Sequence, residues 1–165
     1  MHKKVFHTID PVYNAESRIL ILGSIPSPKS REQMFYYAHP QNRFWRVLAE
    51  IFGISPDNLK STAQKREFLL ENHIALWDVI SECEISGASD SSIKNPVPND
   101  LNRIINASCV KAVFTTGKRA FELYNSLCLN DTQIKALYLP STSPANCAMS
   151  FENLVDKYRI ILKYL

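Results

Sequence analysis

Four short aliphatic runs, RILILGS (18–24), IALWDVI (74–80), VKAVFTTG (110–117) and KALYLPS (135–141), are spaced along the chain with helix-patterned segments between them. A run that is apolar at nearly every position suits a strand covered on both faces, as strands in parallel sheets are. Parallel neighbours need long crossovers, and helices supply them. NRFWRVLAEIFG (42–53) carries Phe44, Leu48 and Ile51 at helical spacing and stops at Gly53. STAQKREFLLENH (61–73) reads as a second helix capped by Ser61 or Thr62, and NDLNRIINA (99–107) as a short one starting at Asn99 or Asp100. KRAFELYNSLC (118–128) is a third major helix, and the amphipathic SFENLVDKYRIILKYL (150–165) closes the chain, with Ser150 and Asn153 as start signals. The expectation is an α/β fold, a three-layer α/β/α sandwich around a four-stranded, largely parallel sheet, with one domain over 1–165. SECEISGASDSSIKNPVPND (81–100) is too long and too poor in periodicity for scaffold, and is predicted to be an irregular loop of the kind that often carries function.

Composition removes several classes of function. With 45% hydrophobic and 21% charged residues the chain is of a folded, globular kind. Its net charge of +3, from 19 Lys and Arg against 16 Asp and Glu, permits a nucleic-acid partner without arguing for one. Cys83, Cys109, Cys128 and Cys147 form no CxxC pair, which speaks against a zinc site and for reduced thiols. Four glycines spread over 165 residues make neither GxGxxG nor GxxxxGK[ST], so ATP and NAD are disfavoured, and no GxSxG elbow is present. Among the histidines only His39 sits in an obvious loop, since His73 ends a helix and His2 and His7 lie near the terminus. The start MHKKVFHTIDP lacks the apolar run of a signal peptide and no stretch reaches membrane-spanning length, so a soluble intracellular protein is expected, cytoplasmic or nucleoid-associated if prokaryotic.

In open α/β sheets ligands bind beyond the carboxyl ends of the strands, near a switch in strand order. Three of the four ends carry unusual chemistry: GSIPSPKS (23–30), WDVI leading into the long segment, and LPSTSPAN (139–146). The remaining end, TTGKR (115–119), offers a helix start and two cations to an anion. LPSTSPAN presents hydroxyls and an amide suited to phosphate oxygens, or else is a Ser/Pro turn before the last helix. YYAHPQNRFW (36–45) gathers an imidazole, two amides, an arginine and aromatic rings around Pro40, either as core anchors before a helix or as a pocket for a flat polar ligand.

GSIPSPKS, AHPQNRFW (38–45) and LPSTSPAN together resemble the uracil-DNA glycosylase superfamily, near its mismatch-specific uracil/thymine branch and especially its hypoxanthine (deoxyinosine) DNA glycosylases. The resemblance implies removal of a deaminated base from DNA after the nucleotide is flipped out, by hydrolysis of the N-glycosidic bond without a metal or other cofactor, by a monomer with no membrane partner. In the mismatch-specific pattern Gly-Ile-Asn-Pro-Gly the asparagine is catalytic. Aligning Gly23 and Pro26 with that pattern puts Ile25 at its place, where an aliphatic side chain can orient no water. The hypoxanthine branch instead uses the asparagine of its HPxNxFW segment, which implies Asn42 as the catalytic residue. Read from the residues alone, Asn42 is a helix cap before it is a catalytic group. The resemblance further implies a base pocket of Gly23, Ser24, Ile25, Pro26, Tyr37 and His39, with Tyr37 as the ring on which the base stacks. It places Ser141, Thr142, Ser143 and Asn146 in a second loop near the DNA backbone, Asn146 either reading the opposite base or tying the loop together. Arg43 is a solvated helix residue or a phosphate contact. Alternatives are a uracil or mismatch glycosylase, a noncatalytic nucleic-acid-binding module of the same fold, and a nucleoside hydrolase.

Overall fold

The computed structural model describes residues 1–165. In chain order the elements are β1 (Lys3–Phe6), β2 (Ile19–Gly23), α1 (Pro28–Gln33), α2 (Phe44–Phe52), α3 (Thr62–Glu71), β3 (Ile74–Asp78), β4 (Ile80–Ile85) and β5 (Lys94–Pro98), then α4 (Asn102–Ile105), β6 (Ala112–Thr116), α5 (Lys118–Leu127), α6 (Leu129–Thr132), β7 (Ala136–Leu139) and α7 (Phe151–Tyr158). Single 3-10 segments lie at Pro56–Leu59, Asp90–Ser92 and Arg159–Tyr164.

The four aliphatic runs become β2, β3, β6 and β7, and they form one wholly parallel sheet in the order β3-β2-β6-β7. Every residue of β2 and β3 is buried, so both faces are covered and alternation has no reason to exist. Because β3 lies on one side of β2 and β6 on the other, the strand order switches direction at β2. The register then sets Gly23 beside Asp78 at the sheet's carboxyl edge, with Leu22 level with Thr115 on the other side.

Helix ends follow local chemistry. Ser61 and Gln64 make a reciprocal capping box that starts α3, and the Ser150 hydroxyl accepts from the Asn153 N–H to start α7. Gly53 closes α2 in the left-handed conformation, φ 66°, which glycine adopts without steric cost. Two expected boundaries move. Asn99 does not cap α4, because its amide donates to the carbonyls of Asp78 and Ile80 and pins the bend between β3 and β4. The last helix is α-helical only to Tyr158. Beyond it Ile161 is buried and Tyr164 meets the Phe114 ring edge-on at 5.4 Å.

The segment 81–100 is not the irregular loop expected from its pattern. β1, β4 and β5 form a second, antiparallel sheet in the order β1-β4-β5. Register shifts between Ile80 and Glu82 and between Glu82 and Glu84 break the two-residue period that would have revealed β4. Pro96 and Pro98 argue against a strand, yet β5 is an edge strand, where a missing N–H costs no ladder bond. The observed fold is therefore α/β with one parallel and one antiparallel sheet.

Candidate active site

A cleft of about 540 Å³ opens at the carboxyl edge of the parallel sheet, at the switch in strand order. Its lining brings together residues far apart in sequence. Gly23, Ser24, Ile25 and Pro26 follow β2, Tyr37, His39 and Asn42 precede α2, and Ser141, Thr142 and Ser143 follow β7. Asn146 stands outside the lining, just beyond Ala145.

Each residue of the first loop is held locally. A Cβ on Gly23 would sit 2.5 Å from Asp78 Oδ1 and 3.3 Å from the Tyr37 hydroxyl, so this position has no room for a side chain. Ser24 is buried and its hydroxyl donates to Asp90 Oδ1 at 2.9 Å. Ile25 is buried too and offers the cleft only apolar surface. The Pro26 carbonyl accepts from the Arg31 guanidinium at 2.8 Å. Ser27 caps α1, a short helix absent from the sequence reading.

Tyr37 forms a wall of the site. One ring face stacks on Phe44, centroids 3.9 Å apart and planes 15° apart, while its hydroxyl bonds to Thr116 Oγ1 at 2.9 Å. Burial of that hydroxyl pushes its pKa well above the ordinary range. The backbone of Tyr37 is left-handed, φ 51°, a conformation that costs a bulky side chain energy and is held by the packing behind it. His39 is exposed at the rim; its Nδ1 accepts from the Gln41 N–H and its carbonyl from the Asn42 N–H, so it shapes the turn.

Asn42 joins the two loops. Its Oδ1 accepts from the Phe44 N–H at 2.9 Å and from the Thr142 hydroxyl at 2.8 Å. Only an oxygen can face a backbone N–H, which fixes the amide orientation and uses both carbonyl lone pairs. The Asn42 Nδ2 group has no protein partner and belongs to the cleft lining. The second loop is braced from the same side: Arg43 donates to the carbonyls of Met149 and Asn146 at 2.6 and 2.8 Å. Arg43 is thus neither a freely solvated residue nor an open cation. Asn146 donates to the Ser141 carbonyl and ties the loop together, and Ser141 and Ser143 accept from backbone N–H groups two residues on. Lys118 and Arg119 lie outside the lining and approach Glu122 at 4.0 and 3.8 Å.

Three further residues of the site carry no local sequence motif. Asp78 ends β3 inside the cleft, 4% exposed, and His7 from β1's far end bonds to it at 2.8 Å. Asp90, in the segment read as loop, lies on the rim. The residue is exposed, yet desolvation of its carboxyl in the cleft pushes the pKa above the ordinary 3.8; the Ser24 hydroxyl pulls it back and the Asp78 charge adds to the rise. A polar residue closing an otherwise apolar strand was the available signal for Asp78. Nothing local to the chain announces His7. Because Asp90 binds its proton more tightly folded than unfolded, wild-type stability should be full in acid and fall as pH rises through the folded pKa. Asp90→Asn keeps an acceptor for Ser24 and removes that dependence. It is expected to melt higher than wild type at pH 7, with the gap narrowing in acid and closed by pH ~3, where the carboxyl is mostly protonated both folded and unfolded; thermal melts at neutral and acid pH check this.

A parallel sheet, an aromatic wall, an amide with a free nitrogen and a hydroxyl-rich loop around one cleft define an α/β protein with a polar pocket at its sheet's carboxyl edge. Comparison with known proteins narrows the class. The chain belongs to the uracil DNA glycosylase superfamily, whose family model matches residues 11–164. It is 33% identical over 156 residues to a hypoxanthine DNA glycosylase of Methanosarcina acetivorans, covering 93% of this chain and 95% of that one. It is 36% identical over 115 residues to a hypoxanthine DNA glycosylase of Methanosarcina barkeri, covering 68% and 71%. The solution NMR structure of a uracil DNA glycosylase candidate from Methanosarcina acetivorans superposes with a TM-score of 0.78 at 28% identity, over 96% of this chain and 98% of that one.

Proposed function

We propose that this protein is a base-excision repair glycosylase that takes a deaminated base, hypoxanthine before uracil, from DNA and hydrolyses its N-glycosidic bond. The observation that carries the reading is the meeting of Tyr37 and Asn42 in one cleft, a ring backed by Phe44 beside an amide with free N–H groups. The two Methanosarcina relatives named for hypoxanthine support the choice of base. The nucleotide leaves the stack, its base lies on the open face of Tyr37, and C1′ is exposed to water. The C1′–N9 bond breaks, its electron pair goes to the base, and water adds to C1′ as its proton is lost. Charge on the departing base is what preorganised donors stabilise best. Asn42 supplies such donors through Nδ2, since its oxygen is committed to Phe44 and Thr142. Ser141 and Ser143 meet the DNA backbone, and the whole of 1–165 acts as one three-layer α/β/α domain, monomeric and monofunctional. The superfamily's name favours uracil as a second substrate.

The test is incubation of the protein, with chelator, on single-stranded oligonucleotides that differ only in carrying hypoxanthine or uracil, under single-turnover conditions. Single strands remove the duplex's contribution to apparent selectivity. Free hypoxanthine and an abasic strand are expected, released faster than uracil. Equal or faster uracil release would reject the base preference, release of neither the enzyme, and a borohydride-trapped covalent adduct the monofunctional chemistry.

A further inference from the structure

The interior of the cleft holds a carboxylate with no part in the proposed hydrolysis. Asp78 is 4% exposed, and only one of its oxygens is occupied: Oδ2 takes a hydrogen bond from His7 Nε2 at 2.8 Å. The His7 ring is itself oriented, because Nδ1 accepts the Ile9 N–H at 3.3 Å, which leaves the proton on Nε2. Oδ1 has no protein partner, and it lies on the Gly23 side of the cleft near the Tyr37 hydroxyl. Oδ1 is not among the buried polar atoms left without a partner, so it reaches the cleft's solvent and is free to accept from a ligand that enters. His7 directly follows β1 and lies before the residues that the family model matches.

We propose that Asp78 is the residue that reads the base, accepting a hydrogen bond from the ring N–H of a lactam base, and that His7 is its positioning residue. The inference rests on the glycosylase reading. Hypoxanthine carries that N–H at N1, whereas adenine presents a bare acceptor there and would oppose lone pair to lone pair. Deamination is what creates the donor, so one oxygen suffices to tell lesion from parent base. An anionic acceptor gives no help to a base gaining negative charge, so Asp78 selects the bound base and leaves bond breaking to other groups.

Asp78→Asn is the informative variant. The His7 Nε2–H demands an oxygen, which turns the new NH₂ toward the cleft and sets donor against donor at N1. Wild type, Asp78→Asn, His7→Ala and His7→Gln are compared on single strands carrying hypoxanthine or unsubstituted purine, the latter lacking the N–H. The hypoxanthine-to-purine ratio of single-turnover kcat/KM is expected to fall at least about 10-fold in Asp78→Asn, because a site built to bond an N–H rejects what lacks it. His7→Ala should lower the same ratio, with partial rescue by His7→Gln, whose amide can still donate. Purine release by each variant reports whether its folded site survives. Equal losses on both bases, or an unchanged ratio, would overturn the proposal while the glycosylase reading stands. Absence of base release by wild type would overturn both.

Discussion

Replacing Asn42 with alanine is expected to slow single-turnover release of hypoxanthine by at least about 100-fold, the scale on which removal of one preorganised donor is felt at a transition state. The side chain touches both loops of the cleft, through the Phe44 N–H and the Thr142 hydroxyl, and leaves its amide nitrogen free. Ile25, at the corresponding place in the first loop, has no group that could take over. The substitution also removes a cap-like bond at the start of α2, a loss of about 0.5–2 kcal/mol in comparable positions. Urea unfolding therefore accompanies the kinetics. A variant that loses stability in that range while its folded fraction excises at the wild-type rate would make Asn42 a structural residue only.

Phe44→Ala is expected to cost about 3–5 kcal/mol of unfolding free energy, the usual range for emptying a fully buried aromatic site. Phe44 is fully buried, stacked at 3.9 Å under Tyr37 and edge-on to Trp45 and Tyr158 at 5.0 and 6.5 Å. The cavity would also leave the left-handed Tyr37 without the packing that holds it, so base release should fall further than stability alone dictates. Phe44→Leu, which refills much of the volume but offers no ring, separates the two effects. Denaturant titration and single-turnover release on the two variants supply the measurements, and a loss below about 1 kcal/mol in Phe44→Ala would contradict the role of Phe44 as the support of the site.

The parallel sheet was legible because its signal is local: strands buried on both faces must be apolar throughout, and the four runs found in the sequence are the four strands of that sheet. Helix starts at Ser61 and Ser150 and the stop at Gly53 were legible for the same reason, since a cap is chemistry between residues three or four apart. The second sheet was not. Its strands are short, one is bulged and another carries two prolines, and each is stabilised by partners up to 82 positions away, as Lys3 is by Ile85. The cleft was legible in outline, because GSIPSPKS, YYAHPQNRFW and LPSTSPAN each carry polar chemistry at or near a strand end.

Periodicity, capping and turn chemistry within a few residues dictate the parallel α/β framework and the loops around its carboxyl edge. Long-range packing sets which polar groups meet. It turned Arg43 and Asn146 inward as struts of the second loop, committed the Asn42 oxygen to Thr142, and brought His7 to Asp78 across 71 positions. A hydrogen bond acts over about 3 Å whatever the separation along the chain, so which donor meets which acceptor is fixed only when the sheets have set their registers.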